Sequence, residues 1–264
     1  MKRFYVAEAL DQVTPLILTF NEEANIARNL AGLGWAKRIV VVDSGSTDHT
    51  LEILTAHLRV EVVQRPFDSF AQQSNFGLGL IHTSWCLSLD ADHICTVAFQ
   101  AELASLLESA VTDLAAVRTP FRYLIHGRPV RCGIYPPRFN LVRPSRGHFE
   151  NDGHSHRFVP AGPTASMRQP LLHDDRKPLS RWLASQQTYL SQETHKLLHT
   201  PISKLGLNDR LRLLHGLTPL IVPLYCLIWH RGLLDGWRGW FYAFQRAYAE
   251  ILLSLMLWEA RHGQ

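Results

Sequence analysis

Three times in the first hundred residues a short apolar run ends abruptly in a polar, largely acidic segment. Residues 13–19 lead into Phe20-Asn21-Glu22-Glu23, the β-branched run 38–42 into Asp43-Ser44-Gly45-Ser46-Thr47-Asp48, and residues 85–89 into Asp90-Ala91-Asp92. Apolar runs of this length read as buried strands, and the first two lead into helically spaced apolar positions. The pattern predicts a strand over 13–19, a helix capped by Asn21 and running to about residue 33, and a strand over 38–42. A helix to about residue 57, a strand over 60–63, a helix over 69–80 and a strand over 85–89 follow. Strands alternating with helices imply a parallel sheet covered on both faces, whose ligands bind at the carboxyl ends of the strands. Asn21, Glu23, Asp43, Asp48, Asp90 and Asp92 all fall at that edge.

Asp90-Ala91-Asp92 is the sharpest chemical feature. Two carboxylates one residue apart at the mouth of a buried strand make a poor core but a good platform for a hard divalent cation. Mg²⁺ or Mn²⁺ held there keeps open positions and can bridge to phosphate oxygens. At the second strand end, Asp43 and Asp48 also suit ordinary capping of a helix that begins near Ser46 or Thr47, and the two roles are compatible.

The segments 18–26, 41–50 and 89–92, in this order and spacing, resemble family 2 glycosyltransferases of the GT-A fold. The resemblance implies an α/β architecture: a Rossmann-like mixed sheet with helices on both faces, here followed by a C-terminal apolar helical appendage. It also implies transfer of a sugar from a nucleotide-diphosphate donor, with inversion at the anomeric carbon and with Mg²⁺ or Mn²⁺ as cofactor. By the same resemblance Asp43 contacts the donor's base or ribose, Asp92 holds the metal, and Asp90 faces the ribose or the metal. Thr19, Asn21, Glu23, Ser44, Asp48 and Arg176 complete the expected nucleotide-sugar side. Within the family the chain resembles transferases of lipopolysaccharide core and surface-polysaccharide assembly, which commonly carry Glu after the acidic triplet. This chain has His93 there, read as a surface side chain, with a further Mn²⁺ ligand as the alternative.

Past residue 115 the segments shorten and Gly and Pro become frequent. Residues 116–124 and 130–132 read as a strand pair around His126-Gly127-Arg128-Pro129, and 138–143 as another strand. In the family this half supplies the acceptor site and the base. The expected His-Glu pair is His156-Arg157 here, so the base falls to other residues: Asp152 first, then His154 and Asp174. Asn151-Asp152-Gly153 is also plain turn chemistry. His154, His156 and His173 lack the spacing of a zinc site and fit a polar acceptor pocket better.

The C-terminal region is a second shift in composition, with residues 217–229 apolar all round. Residues 217–229 carry two prolines, and 237–258 contain Gln245, Arg246 and Glu250, so neither supplies the roughly 20 uninterrupted apolar residues of a bilayer span. Interfacial helices or a shallow re-entrant hairpin fit better, with Trp and Tyr at headgroup depth; burial as a helical pair or in a homo-oligomer is the other reading. These segments divide the chain into a transferase domain over 1–200 (donor half 1–115, acceptor half 116–200) and a membrane-associating helical region over 201–264.

With 27 Lys and Arg against 23 Asp and Glu the formal charge is +4, yet no basic run is dense enough for a nucleic-acid tract. A scattered solvated face is the default reading of the basic residues after 117, and a positive acceptor side facing a phosphorylated glycolipid or anionic headgroups is the sharper one. Four cysteines without framework or zinc spacing, and no evident signal peptide, place the expected site of action in the cytoplasm, peripherally on the inner membrane. Two other functions share such a sheet edge. A non-catalytic nucleotide-binding scaffold would have little use for both Asp90 and Asp92, and a nucleotidyltransferase calls for a Gly-rich basic loop where Phe20-Asn21-Glu22-Glu23 stands.

Overall fold

The apolar runs become neighbouring strands of one sheet in a computed structural model that describes residues 8–109, 113–153, 155–214 and 216–262. In chain order the first half comprises β1 (Val13–Thr19), α1 (Ile26–Ala31), β2 (Ile39–Asp43), α2 (Thr50–Thr55), β3 (Val60–Gln64), α3 (Phe70–Gly79), β4 (Trp85–Asp90), β5 (His93–Ile94) and α4 (Val97–Glu108). Strands dominate the next part: β6 (Ala116–Thr119), β7 (Phe121–Ile125), β8 (Arg128–Pro129), β9 (Arg138–Val142), β10 (Gly147–Asp152), β11 (Ser155–Pro160), β12 (Thr164–Ser166) and β13 (Leu171–His173). The chain forms two compact units. One holds the residues up to Arg122 with Tyr135–Asn151 and Ser155–Arg176; the other holds Tyr123–Ile134, the segment at Asp152 and the chain from Lys177.

The first unit is built on a seven-stranded sheet of order β12-β6-β9-β4-β1-β2-β3. β4, β1, β2 and β3 run parallel, and β9 pairs antiparallel with both β4 and β6. Because successive strand residues point to opposite faces, the continuous apolar runs feed two cores at once. Val13, Ile17, Val41, Leu87 and Leu89 pack with Ile26, Leu54, Phe99 and Leu103 of α1, α2 and α4, while Leu16, Val40, Val42 and Cys86 pack with Ala71 and Leu78 of α3. Each such fully buried aliphatic side chain contributes about 1.5–3 kcal/mol. The α3 face is tight: a Cβ at Gly77 would lie 2.5 Å from Leu16 Cδ1, so in Gly77→Ala the buried Leu16 side chain or the helix must shift.

Helix starts follow local chemistry where a side chain is free to cap. The Ser69 hydroxyl accepts from Gln72 N at the start of α3, and Thr96 accepts from Phe99 N at the start of α4. Asn21 does not cap α1 as its sequence position predicts. It sits in the left-handed region at φ 55°, its Oδ1 accepts from Thr47 N across the loop, and the helix begins later, at Ile26. The expected strand over 116–124 is also two strands. Pro120, which has no N–H to give a ladder, separates β6, paired with β9, from β7, which turns through left-handed His126 and Gly127 to pair with β8. Residues 130–132 are not a strand.

The second unit is mainly helical, with α5 (Leu179–His199), α6 (Leu207–Arg212), α7 (Thr218–Leu224) and α8 (Trp237–His262). Pro223 interrupts α7, which continues as a π-helical turn over Tyr225–Trp229. Leu190 and Leu197 of α5 pack with Ala249, Leu253 and Leu257 of α8. Among the described residues no helix is long and apolar enough to cross a membrane.

Candidate functional site

The carboxyl ends of β1, β2 and β4 are held in register, Thr19 opposite Asp43 and Leu18 opposite Asp90. Asp43 is fully buried and accepts four hydrogen bonds. Gly45 N and Ser46 N reach Oδ1 at 2.9 and 2.8 Å, while the Thr19 and Ser46 hydroxyls reach Oδ2 at 2.9 and 2.5 Å. Gly45 has φ +89°, the backbone shape that lets this loop curl over its own carboxylate. The β1–α1 loop is laced to the same turn. Asn21 N donates to Ser46 Oγ at 2.8 Å, Glu23 N to Asp48 Oδ2 at 3.2 Å, and His49 N to Glu23 Oε2 at 3.0 Å. Hydrogen bonds from His49 lower the pKa of Glu23; burial works against ionisation of Asp48, and bonds from Thr50 and Glu23 outweigh it. Ser44 Oγ accepts from Gln73 Nε2 at 3.0 Å. Thr19, Asn21, Glu23, Asp43, Ser44 and Asp48 thus converge as expected, largely bonded to one another.

The end of β4 is different. Asp90 is 39% exposed at its side chain and Asp92 13%. Just beyond, β5 pairs antiparallel with β13, setting His93 opposite His173, and Asp174 N donates to Asp92 O at 3.0 Å. His173 Nε2 lies 3.3 Å from Asp92 Oδ2, and His93 Nε2 lies 3.5 Å from Asp90 Oδ2 and 3.8 Å from Asp92 Oδ1. Asp92, His93 and His173 offer nitrogen and oxygen atoms within 4.8 Å of one another. The buried Asp92 Oδ1 and His93 Nε2 have no hydrogen-bond partner. Burial, reinforced by Asp90, pushes the Asp92 carboxyl up to about 6 against the pull of His173, and burial pushes the His93 imidazole down to about 4. A buried carboxylate oxygen without a donor, beside a second carboxylate and an imidazole, fits a divalent cation. The nitrogen favours a transition ion such as Mn²⁺ over Mg²⁺.

Beside this centre α1 clasps the chain that leaves β13. Asp174 is buried between two guanidinium groups, Arg28 Nη1 at 3.2 Å from Oδ2 and Arg176 Nε at 2.8 Å from Oδ1. Asn25 joins Asp175 and Arg176 to α1, its Nδ2 donating to Asp175 Oδ1 at 2.9 Å and its Oδ1 accepting from Arg176 N at 2.8 Å.

The sequence pattern described as "Glycosyl transferase family 2" matches residues 16–171, more than half of the chain and all of the strand edge just described. The chain belongs to this family. It is 26% identical over 210 residues to the lipopolysaccharide core biosynthesis glycosyltransferase LpsC of Rhizobium meliloti (strain 1021), covering 72% of this chain and 77% of that one. An uncharacterized glycosyltransferase of Rickettsia bellii (strain RML369-C) is 28% identical over 133 residues, half of this chain and 45% of its own length. Among solved structures the mannosyltransferase PcManGT from Pyrobaculum calidifontis, in complex with GDP-Man and Mn2+, superposes over 98% of this chain and 93% of its own. The TM-score is 0.50 at 16% identity. The fold is GT-A.

Of the acceptor-side candidates in this family 2 chain, Asp174 lies beside the β4 edge within the Arg28–Arg176 clasp. Asp152 belongs to the second unit, where Lys196 Nζ lies 2.9 Å from its Oδ1 and 3.1 Å from Asp209 Oδ2. His154 lies outside the described residues. His156 is in the first unit, its ring against Phe70 and Phe149, where burial pushes it down to about 4.

Sequence reasoning misjudged His93: it is 1% exposed, not a surface side chain, because the β5–β13 ladder turns it inward against Phe121. It also missed His173 as a neighbour of Asp92, and Asn29, whose Nδ2 donates to the carbonyls of Asp90 at 3.1 Å and His93 at 2.8 Å. Asn29 carried a readable signal, a polar residue on the apolar stripe of α1 beside Ile26 and Leu30.

Proposed function

We propose that this chain is a metal-dependent, inverting glycosyltransferase. It moves a sugar from a nucleotide-diphosphate donor to a glycolipid or saccharide acceptor in the assembly of lipopolysaccharide or a related cell-envelope polysaccharide. The observation that carries the reading is the unsatisfied, buried Asp92 oxygen beside Asp90 and His173 at the carboxyl edge of the sheet. Asp92, with His173 and Asp90, would hold Mn²⁺ or Mg²⁺. When bound, such an ion offsets the negative charge that grows on the departing diphosphate. Thr19, Asn21, Glu23, Asp43, Ser44 and Asp48 shape the nucleoside side. Asp43, whose acceptor positions are taken by the loop itself, acts by fixing that loop and its backbone groups. Arg176 stands toward the phosphates while tethered to Asp174.

In the reaction the acceptor oxygen attacks the anomeric carbon from the side opposite the diphosphate. The carbon–oxygen bond to phosphate breaks as the new bond forms, and a base takes the hydroxyl proton, typically worth about 10²–10⁴-fold. Asp174, between two guanidinium groups, is suited to positioning. Asp152, with a 43% exposed side chain paired through Oδ1 to Lys196, is the proposed base, with His154 as the alternative.

The helical region is the proposed membrane contact, at the cytoplasmic face of the inner membrane. Apart from Arg231 and Gly236, every exposed residue from Leu217 to Trp258 is apolar, including Ile228, Trp229, Trp240, Phe244 and Trp258. Such a face suits one leaflet, with Trp and Tyr at headgroup depth. Two experiments test these assignments. Incubation with a panel of nucleotide sugars and Mn²⁺ is expected to release nucleoside diphosphate from one of them, and no release from any donor with any acceptor extract would refute catalysis. Flotation with vesicles containing anionic lipid is expected to carry the wild type and leave Trp240→Glu with Phe244→Glu behind; equal flotation of both would refute the membrane face.

A further inference from the structure

We infer that His93 is a positioning residue of the metal centre and not one of its ligands, an inference that rests on the transferase reading of Asp92. Distance alone suggests the opposite, since His93 belongs with Asp92 and His173 to the one group of residues spaced for an ion among the described residues. The ring nitrogen Nδ1 decides the matter. Asp90 N donates to His93 Nδ1 at 3.0 Å, and a backbone N–H can only donate, so Nδ1 carries a lone pair and no proton. In the neutral ring the proton therefore sits on Nε2, which leaves no lone pair there for a metal. To ligate through Nε2 the ring would need its proton on Nδ1, pointed at the Asp90 N–H. Flipping the ring instead sets a carbon against that N–H and takes away its part-buried acceptor.

The surroundings hold this arrangement. Asn29 Nδ2 fixes the carbonyls of Asp90 and His93, the Phe121 ring centroid lies 4.9 Å from that of His93, and the β5–β13 register sets His173 opposite. The Nε2–H group points between Asp90 Oδ2 at 3.5 Å and Asp92 Oδ1 at 3.8 Å. It presents the positive end of a dipole to two carboxylates that repel each other, and so keeps both aimed before an ion arrives. His173 Nε2, 3.3 Å from Asp92 Oδ2, is then the imidazole that would reach the ion. Partners one shell out from a metal typically change its affinity about 10–100-fold when removed.

The tautomer is testable without metal. Nitrogen-15 spectra of the histidine-labelled wild type are expected to show one buried imidazole with an unprotonated Nδ1 and a protonated Nε2, lost in His93→Gln; a protonated Nδ1 overturns the proposal. Pulsed electron resonance on the Mn²⁺-loaded protein is expected to show nitrogen coupling that survives His93→Gln and disappears in His173→Gln, and loss of coupling in His93→Gln overturns it. Glutamine reproduces both functions of the ring, its carbonyl accepting from Asp90 N and its amide donating toward the carboxylates. Mn²⁺ affinity in His93→Gln is therefore expected within about threefold of wild type, against a fall of about 10–100-fold in His93→Leu; equal affinities in the two variants contradict the donor role. A wild type that takes up no Mn²⁺ overturns the transferase reading and this role with it, whereas the Nδ1–H tautomer overturns this role alone.

Discussion

Asp43 and Asp92 follow two strands of one sheet, and their surroundings treat them in opposite ways. Asp43 ends β2 fully buried with four donors on its two oxygens, so its charge is spent inside the protein. Asp92, just past β4, keeps a buried oxygen with no donor, lies near Asp90, and has its carboxyl pushed up to about 6 by burial and by that neighbour. A saturated carboxylate builds a loop; an unsaturated one, held in place at a cost in stability, is free to take a ligand. Family membership makes both carboxylates look alike as donor-binding residues, and the hydrogen-bond count separates them.

The contrast breaks most visibly in substitutions that remove charge and keep shape. Asp92→Asn is expected to lower sugar transfer by about 10³-fold, the scale of a lost transition-state electrostatic contact. Its melting temperature is expected to equal or exceed that of the wild type, because a poorly solvated charge has gone; turnover near wild type would place the metal elsewhere. Asp43→Asn is expected to do the reverse, costing about 2–4 kcal/mol in denaturant unfolding, since Gly45 N, Ser46 N and two hydroxyls lose a charged acceptor. Unchanged stability with lost nucleotide affinity would restore a direct nucleoside contact for Asp43. His173→Gln is expected to weaken Mn²⁺ binding at least about tenfold by calorimetry without a change in fold, on the scale at which metal-site partners act.

The last expected effect is a pH dependence away from Asp43 and Asp92. Burial between Phe70 and Phe149 pushes His156 down to about 4 from an ordinary 6.5, so the unfolded chain takes up that proton first. The resulting stability is fully present above about 6.5 and is lost as pH falls toward 4. His156→Phe should flatten that part of the melting-temperature curve, and an unaltered acid limb would show that His156 does not contribute to it.

Legibility followed sequence distance. The edges of β1, β2 and β4 were readable because continuous apolar runs ending in polar residues leave little choice of element, and the convergence of Asn21, Glu23, Asp43 and Asp48 followed from the alternation of strand and helix. The fate of each carboxylate did not. Saturation of Asp43 depends on Gly45 and Ser46 curling back and on Thr19 from the neighbouring strand. His173 reaches Asp92 only through a two-residue pairing of β5 with β13, segments too short to stand out in a sequence. Asn21 looked like a helix cap because cap and cross-loop acceptor use the same short side chain, and only its left-handed backbone tells them apart.

The central claim is that the Asp92 carboxylate exists to bind a cation that in turn binds a diphosphate. Calorimetric titration of UDP and GDP into the wild type and into Asp92→Asn, with and without Mn²⁺, tests it directly. The account predicts that Mn²⁺ strengthens binding of at least one nucleotide by more than about tenfold in the wild type, about 1.4 kcal/mol, and has no such effect in the variant. Equal Mn²⁺ dependence in both proteins, or none in the wild type, would contradict it.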